Sequence, residues 1–248
     1  MTNPDPRYAF WLSTPHFAAC EIAHRLGFGK LVLDIEHGAF GTVGLDRVVA
    51  YAKAIGLEVY GKVLGPEPVP LMQALDFGCD GVIIPHIEGV EHARAVTAWT
   101  KYPPLGKRSY AGGRTVLYDV PADDFFEKED RRTKCIPMIE DAKALADVAA
   151  IAALPTVDGL FVGPSDLSLT RGRGRYRQTP ADTADLEAIA AAAKAAGKPW
   201  VMPAWSARER GEARRLGAAW MLIVDETGAL YTGFETALEA ARKDAGGA

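Results

Sequence analysis

Residues Asp158-Gly-Leu-Phe-Val-Gly-Pro-Ser-Asp-Leu-Ser-Leu169 decide the fold of this chain. Leu160–Val162 is a short apolar run entered through Asp-Gly and stopped by Gly163-Pro164, which reads as a buried strand ended by a tight turn. Ser165 and Asp166 follow, a hydroxyl and a carboxylate on the loop leaving that strand. Pro164 has no amide hydrogen, whereas Ser165 and Asp166 each carry one that a turn can aim at an anion. Taken alone, these residues leave two readings of Asp166 open. It is a metal ligand beside a bound acid, or it caps the next helix.

The same sequence of apolar run, stop and helical pattern repeats outward in both directions. Strand-like runs are expected at residues 8–13, 31–35, 58–64, 81–84, 134–139, 160–162, 198–202 and 219–224. Helical patterns are expected at 15–26, 41–55, 68–77, 89–100, 142–153, 182–196, 207–216 and 228–242, most of them closed by Gly. Near-continuous apolar strands are what a parallel sheet buried on both faces requires. Eight strand–helix units in 248 residues predict an α/β fold, a (β/α)8 TIM barrel, as one domain over 1–248. An open doubly wound sheet is the alternative, but it rarely needs so many strands in so short a chain. One long irregular insert, about 101–132, follows the fourth helix; segments of this length are commonly functional or interface-forming.

Composition narrows the function classes. The chain carries 28 Lys and Arg against 32 Asp and Glu, a net charge of -4, without a basic block of nucleic-acid type. The most basic piece, Arg171-Gly-Arg-Gly-Arg-Tyr-Arg177, reads as a mobile loop for small anions. Three separated cysteines, Cys20, Cys79 and Cys135, suit reduced thiols and exclude a disulfide framework. No signal-like leader or membrane-length apolar run is apparent, so a cytoplasmic protein that meets neither membrane nor nucleic acid is expected.

A barrel presents its chemistry just past the C-terminal ends of its strands. Those positions hold Asp34, Glu36 and His37, then Lys62, His86, Glu140, Ser165 and Asp166, then Trp205, Asp225 and Glu226. Glu140 and Asp166 end neighbouring strands, about 4.8 Å apart in such a sheet, and two carboxylates so placed can share a hard divalent cation such as Mg²⁺ or Mn²⁺. The competing reading is that each caps a helix. Asp34, three residues before His37, can fix an imidazole tautomer and leave its other nitrogen as a base; otherwise His37 is a surface residue packed under the loop. Lys62 offers a cation for a developing enolate oxygen, an imine-forming amine, or a snorkelling surface charge. His86 shows no partner in sequence and is expected to stand behind the site.

Leu33-Asp-Ile-Glu-His-Gly38, Gly81-Val-Ile-Ile-Pro85, Tyr102-Pro-Pro-Leu-Gly106, Met138-Ile-Glu-Asp141 and Gly159-Leu-Phe-Val-Gly-Pro-Ser-Asp-Leu-Ser168 together resemble the HpcH/HpaI aldolase family, metal-dependent (class II) pyruvate aldolases on a phosphoenolpyruvate/pyruvate-type barrel. The resemblance implies reversible aldol cleavage of 2-oxo-4-hydroxy acids to pyruvate, or a similar 2-oxo acid, and an aldehyde. It implies Glu140 and Asp166 as ligands of Mg²⁺ or Mn²⁺ (Co²⁺ also serving), and His37 with Asp34 as the acid–base dyad. The Ser165 and Asp166 amides would meet the substrate carboxylate, and Met138 would line its site. Asp76 would reach a neighbouring subunit's site in a homohexamer whose last helices are exchanged. Two positions depart from the pattern: Lys62 stands where family members carry Arg, and Met138 where well-studied members carry Gln. Lys keeps the charge but lacks the planar fork of donors. Two other functions stay in view: a carbon–carbon lyase or synthase acting on a CoA ester or citrate-like acid, and a non-catalytic metabolite-binding barrel.

Overall fold

The computed structural model describes residues 3–246; residues 1–2 and 247–248 of the expected domain lie outside the described residues. The chain begins β1 (Asp5–Leu12), α1 (Phe17–Leu26), β2 (Phe28–Asp34), α2 (Thr42–Ala54), β3 (Glu58–Lys62), α3 (Pro68–Asp76), β4 (Gly81–Ile84) and α4 (Val90–Thr97). After residues 101–124 come α5 (Phe125–Arg132), β5 (Lys134–Ile139), α6 (Ala142–Ala146), α7 (Val148–Ala152), β6 (Leu160–Val162) and α8 (Pro164–Thr170). It ends with α9 (Pro180–Ala195), β7 (Trp200–Pro203), α10 (Ala207–Arg215), β8 (Trp220–Asp225) and α11 (Glu226–Gly246). The strands close into one parallel barrel in sequence order, β8 pairing back onto β1. The expected (β/α)8 barrel is the observed fold. None of the described helices is long and apolar enough to cross a membrane.

Strand periodicity divides the core into two layers. Alternate residues point to opposite faces of a strand, so one set fills the barrel and the other packs under the helices. The inner layer comprises Ala9, Val32, Tyr60, Ile83, Ile136, Met138, Phe161, Val201, Trp220 and Leu222. Leu31, Leu33, Val59, Val82, Cys135, Ile139, Leu160 and Val162 belong to the outer layer. Cys20, Cys79 and Cys135 are free and buried, and burial pushes each thiol up to about 12.

Three sequence readings change. The helix expected over 142–153 is two short helices broken at Asp147, whose carboxylate accepts the Val90 amide at 2.9 Å and so ties the break to α4. The insert is not irregular throughout: α5 forms its end, and Tyr102, Tyr110, Phe125 and Phe126 pack around one another, edge-on except for the tilted Tyr102–Phe125 pair, with centroids 5.0–6.2 Å apart. The basic loop is partly tied down, with Arg173 paired to Asp182 and Asp185, and Arg171 to Asp185 at 3.3 Å.

The last helix departs from the barrel surface. Leu230, Tyr231, Phe234 and Leu238 on α11 are 49–73% exposed. Beside its first turn lies an apolar cleft of about 490 Å³, lined by Phe10, Leu12, Ile22, Leu26, Phe28 and Leu230 among others.

Candidate active site

The period of two that builds the inner layer also builds the site. Two residues past inward-facing Val32 stands Asp34; two past Tyr60 stands Lys62; two past Met138 stands Glu140. Asp34 and Lys62 are register partners across β2 and β3. The apolar interior therefore ends, at one mouth, in charged side chains that are nonetheless buried: Asp34, Lys62 and Glu140 are 5–6% exposed. Gly163 continues the same inward series after Phe161, and here a side chain has no room. A Cβ on Gly163 would stand 2.7 Å from the Glu140 Cβ, 2.8 Å from its Oε2 and 3.0 Å from the Met138 Cε. Met138 thus forms the apolar floor beneath Glu140 and the Gly163 turn.

Ser165 and Asp166 do not lie on a loop. Pro164 opens α8, and both residues occupy its first turn, ahead of its first backbone bond, Leu167 N to Gly163 O at 3.0 Å. Their amides therefore precede the internal ladder of the helix, and both side chains sit among exposed residues at the mouth. Burial first holds the Glu140 carboxyl above the usual carboxylate range; the His86 amide opposes this, and the Asp166 charge adds to it. A buried carboxylate with a like charge nearby fits a cation. Among the described residues no group of three or more His, Cys, Asp or Glu side chains could hold a metal. Glu140 and Asp166 could offer two carboxylates to such an ion, with further positions left to water and substrate oxygens, a donor chemistry that suits a hard, oxygen-seeking divalent ion.

The opposite side of the mouth is organised by Glu36, a rim residue to which the sequence reading gave no role. Its side chain is 8% exposed and holds Lys62 Nζ at 2.6 Å, His86 Nε2 at 2.7 Å and His37 Nε2 at 3.4 Å. Burial alone would raise the Glu36 carboxyl, but Lys62 and the two histidines outweigh it and leave it below its ordinary value. Asp34 lies at the edge of this cluster: Oδ2 accepts from Trp11 Nε1 at 3.2 Å, and Oδ1 is 3.4 Å from Lys62 Nζ. The expected pairing of Asp34 with the His37 imidazole is not the observed one. Asp34 Oδ1 accepts the His37 backbone amide at 3.2 Å, while the imidazole lies against Glu36 and is 67% exposed. The physical reason is the tight turn after β2. Gly38 N bonds Asp34 O at 2.9 Å and Ala39 N bonds Ser13 O at 2.7 Å, and a Cβ on Gly38 would collide with both carbonyls. The carboxylate is drawn to the amides inside that turn.

His86, expected behind the site without a partner, is in it. It bonds Glu36 through its ring and donates its backbone amide to Glu140 Oε1 at 2.7 Å. Asp76 is not in this mouth. It ends α3, where Oδ1 accepts from Nη2 of fully buried Arg108 at 2.9 Å.

A closed parallel barrel with carboxylates, a buried lysine and two histidines gathered at the C-terminal mouth has the layout of a barrel enzyme. Comparison with known proteins narrows it. The HpcH/HpaI aldolase/citrate lyase family model matches residues 7–219, and the chain belongs to that family. It is 34% identical over 162 residues to a 2-dehydro-3,6-dideoxy-6-sulfogluconate aldolase of Pseudomonas putida, a match spanning 65% of this chain and 64% of that one. It is 30% identical over 237 residues to a 5-keto-4-deoxy-D-glucarate aldolase of Escherichia fergusonii, covering 94% of this chain and 91% of the relative. Among solved structures, an HpcH/HpaI aldolase/citrate lyase family protein from Burkholderia cenocepacia superposes with a TM-score of 0.88 at 27% identity, covering 96% of this chain and 95% of the other.

Proposed function

We propose that this chain is a metal-dependent aldolase that reversibly cleaves 2-oxo-4-hydroxy acids to pyruvate, or a similar 2-oxo acid, and an aldehyde. The observation that carries the reading is the alignment of Asp34, Lys62 and Glu140 on one inward face, at the mouth where Asp166 also stands. The relatives named above are aldolases of oxo-sugar acids, and their names supply the reaction class.

Glu140 and Asp166 would hold a divalent cation, Mg²⁺ or Mn²⁺ with Co²⁺ as a substitute, which polarises the 2-oxo group of the substrate when bound. The amides of Ser165 and Asp166, at the positive end of α8, receive the substrate carboxylate. Met138 supplies an apolar floor that keeps water from the reacting carbon. Lys62, held by Glu36, stabilises the negative charge that grows on the 2-oxo oxygen. In cleavage His37 takes the proton from the 4-hydroxyl. The C3–C4 bond then breaks, the aldehyde leaves, the electron pair passes toward the 2-oxo oxygen as an enolate, and His37 returns its proton to C3 as pyruvate forms, the same transfer that exchanges the methyl hydrogens of pyruvate in reverse. Asp34 acts through the main chain, fixing where His37 leaves the strand. His37 is open to solvent, as a group that must meet variable aldehydes needs to be.

The same reading takes the chain as one barrel domain that works as a homohexamer. Tyr231, Phe234 and Leu238 of α11 are exposed and do not line the apolar cleft beside α1, an arrangement expected if each copy lends its last helix to a neighbour. Asp76, fixed by Arg108, would face a neighbouring copy's mouth.

The deciding assay follows pyruvate release from a series of 4-hydroxy-2-oxo acids, with malyl- and citramalyl-CoA in parallel. Release from the oxo acids that stops on chelation and returns with Mn²⁺ is expected. Turnover of the CoA esters alone would move the chain to the citrate-lyase side of its family. Binding of pyruvate without turnover of any substrate would make it a metabolite-binding barrel.

A further inference from the structure

One residue touches both sides of the mouth. The backbone amide of His86 donates to Glu140 Oε1 at 2.7 Å, its ring Nε2 lies 2.7 Å from Glu36 Oε1, and its Nδ1 lies 3.8 Å from Glu140 Oε1. Glu36 in turn holds Lys62 at 2.6 Å, and Lys62 lies 3.4 Å from Asp34. A continuous polar bridge therefore runs from β2, through the second residue after β4, to the end of β5. His86 makes it with a φ of 59°, in the left-handed region that non-glycine residues seldom occupy. Such conformations persist where the surroundings hold them, and they gather at functional sites. The His86 side chain is 62% exposed, so packing does not explain why it is held.

We propose that His86 is a positioning residue that holds both sides of the mouth at once, its amide orienting the cation-ligating carboxylate Glu140 and its ring the Glu36–Lys62 pair. The inference rests on the aldolase reading above. Its amide orients Glu140 Oε1 from within the chain, and its ring keeps Glu36 turned toward Lys62.

Three variants separate the two contacts. His86→Gly accepts the backbone conformation and keeps the amide but loses the ring. His86→Gln places a donor at the same reach as Nε2. His86→Val resists the left-handed conformation through its branched Cβ and so displaces the amide as well. Two readouts apply to each: Mn²⁺ affinity from the loss of free-ion paramagnetic resonance signal, and exchange of the pyruvate methyl hydrogens in deuterated water. In His86→Gly, Mn²⁺ affinity should stay within about threefold while exchange falls about tenfold, the loss of one hydrogen bond to a charged group. His86→Gln should recover most of that exchange. His86→Val should weaken Mn²⁺ binding about tenfold in addition. If His86→Val lowers the melting temperature, the Gly and Gln pair still decides. Variants that match an exchanging wild type in both readouts overturn this inference alone. A wild type that neither binds Mn²⁺ nor exchanges overturns the aldolase reading and the inference with it.

Discussion

The two sides of the barrel mouth are built from the same strand alternation and differ in how their charge is settled. On the β2–β4 side, Asp34, Glu36, Lys62, His37 and His86 satisfy one another at 2.6–3.4 Å. On the β5–β6 side, Glu140 is buried, its carboxyl held high by burial, with Asp166 adding like charge. The first side holds its geometry from within the chain. The second gains most from a cation brought from outside. Under the proposed reading, the difference separates a half of the chemistry held by ion pairs within the chain from a half that a cation would complete, since a buried carboxylate with distant counter-charges is costlier than a closely paired one.

That contrast is broken most severely on the second side. Glu140→Gln keeps the shape but removes the charge, and loss of the cation's contribution should lower retro-aldol turnover by roughly 10³-fold, measured at saturating Mn²⁺. An unchanged rate would mean that Glu140 is not a ligand. On the first side, His37→Ala should cost about 10²-fold in turnover, the lower end for a general base, with Mn²⁺ affinity left near wild type. Equal losses of Mn²⁺ affinity and turnover would instead place His37 among the ligands.

Gly163→Ala probes the wall between floor and carboxylate. Its added methyl overlaps Glu140 and Met138, so unfolding free energy should drop by about 1–3 kcal/mol in denaturant titrations. Stability equal to wild type would show that Glu140 is free to swing away. The smallest effect is in pH. Glu140, raised in the folded chain, binds its proton more tightly there than when unfolded, so chelated protein gains from it at low pH. That gain fades as pH rises from the ordinary carboxyl value through the raised one. Mn²⁺ competes with the same proton, so the rise in melting temperature it confers should be larger at pH 7 than at pH 5. A pH-independent rise would contradict Glu140 as a ligand.

Much of this was legible in the sequence because strand alternation and strand ends are local properties. All eight strands lie within a few residues of their expected places, and Asp34, Lys62 and Glu140 are found where the rim reading put them. What escaped depends on neighbours far along the chain. Glu36 continues the alternation Val32, Asp34, and that spacing was the available signal. Its role, however, comes from Lys62 and His86, which arrive from β3 and from the second residue after β4. His86 escaped because a left-handed conformation at a non-glycine residue leaves no mark in sequence. The Asp34–His37 pairing was displaced by the turn at Gly38, a competition among backbone amides that side-chain spacing does not reveal. The departure of α11 was an expectation of the family resemblance alone, and its own residues do not announce it. An apolar stripe reads the same whether it covers its own barrel or another.

The central claim is that the two sides act together on a 2-oxo acid, one through a cation and one through a base. Exchange of the methyl hydrogens of pyruvate in deuterated water tests it without knowledge of the aldehyde. Exchange should proceed with Mn²⁺ or Mg²⁺, stop on exhaustive chelation, and fall to background in both Glu140→Gln and His37→Ala. Exchange that survives chelation, or that survives the loss of either residue, would contradict the account.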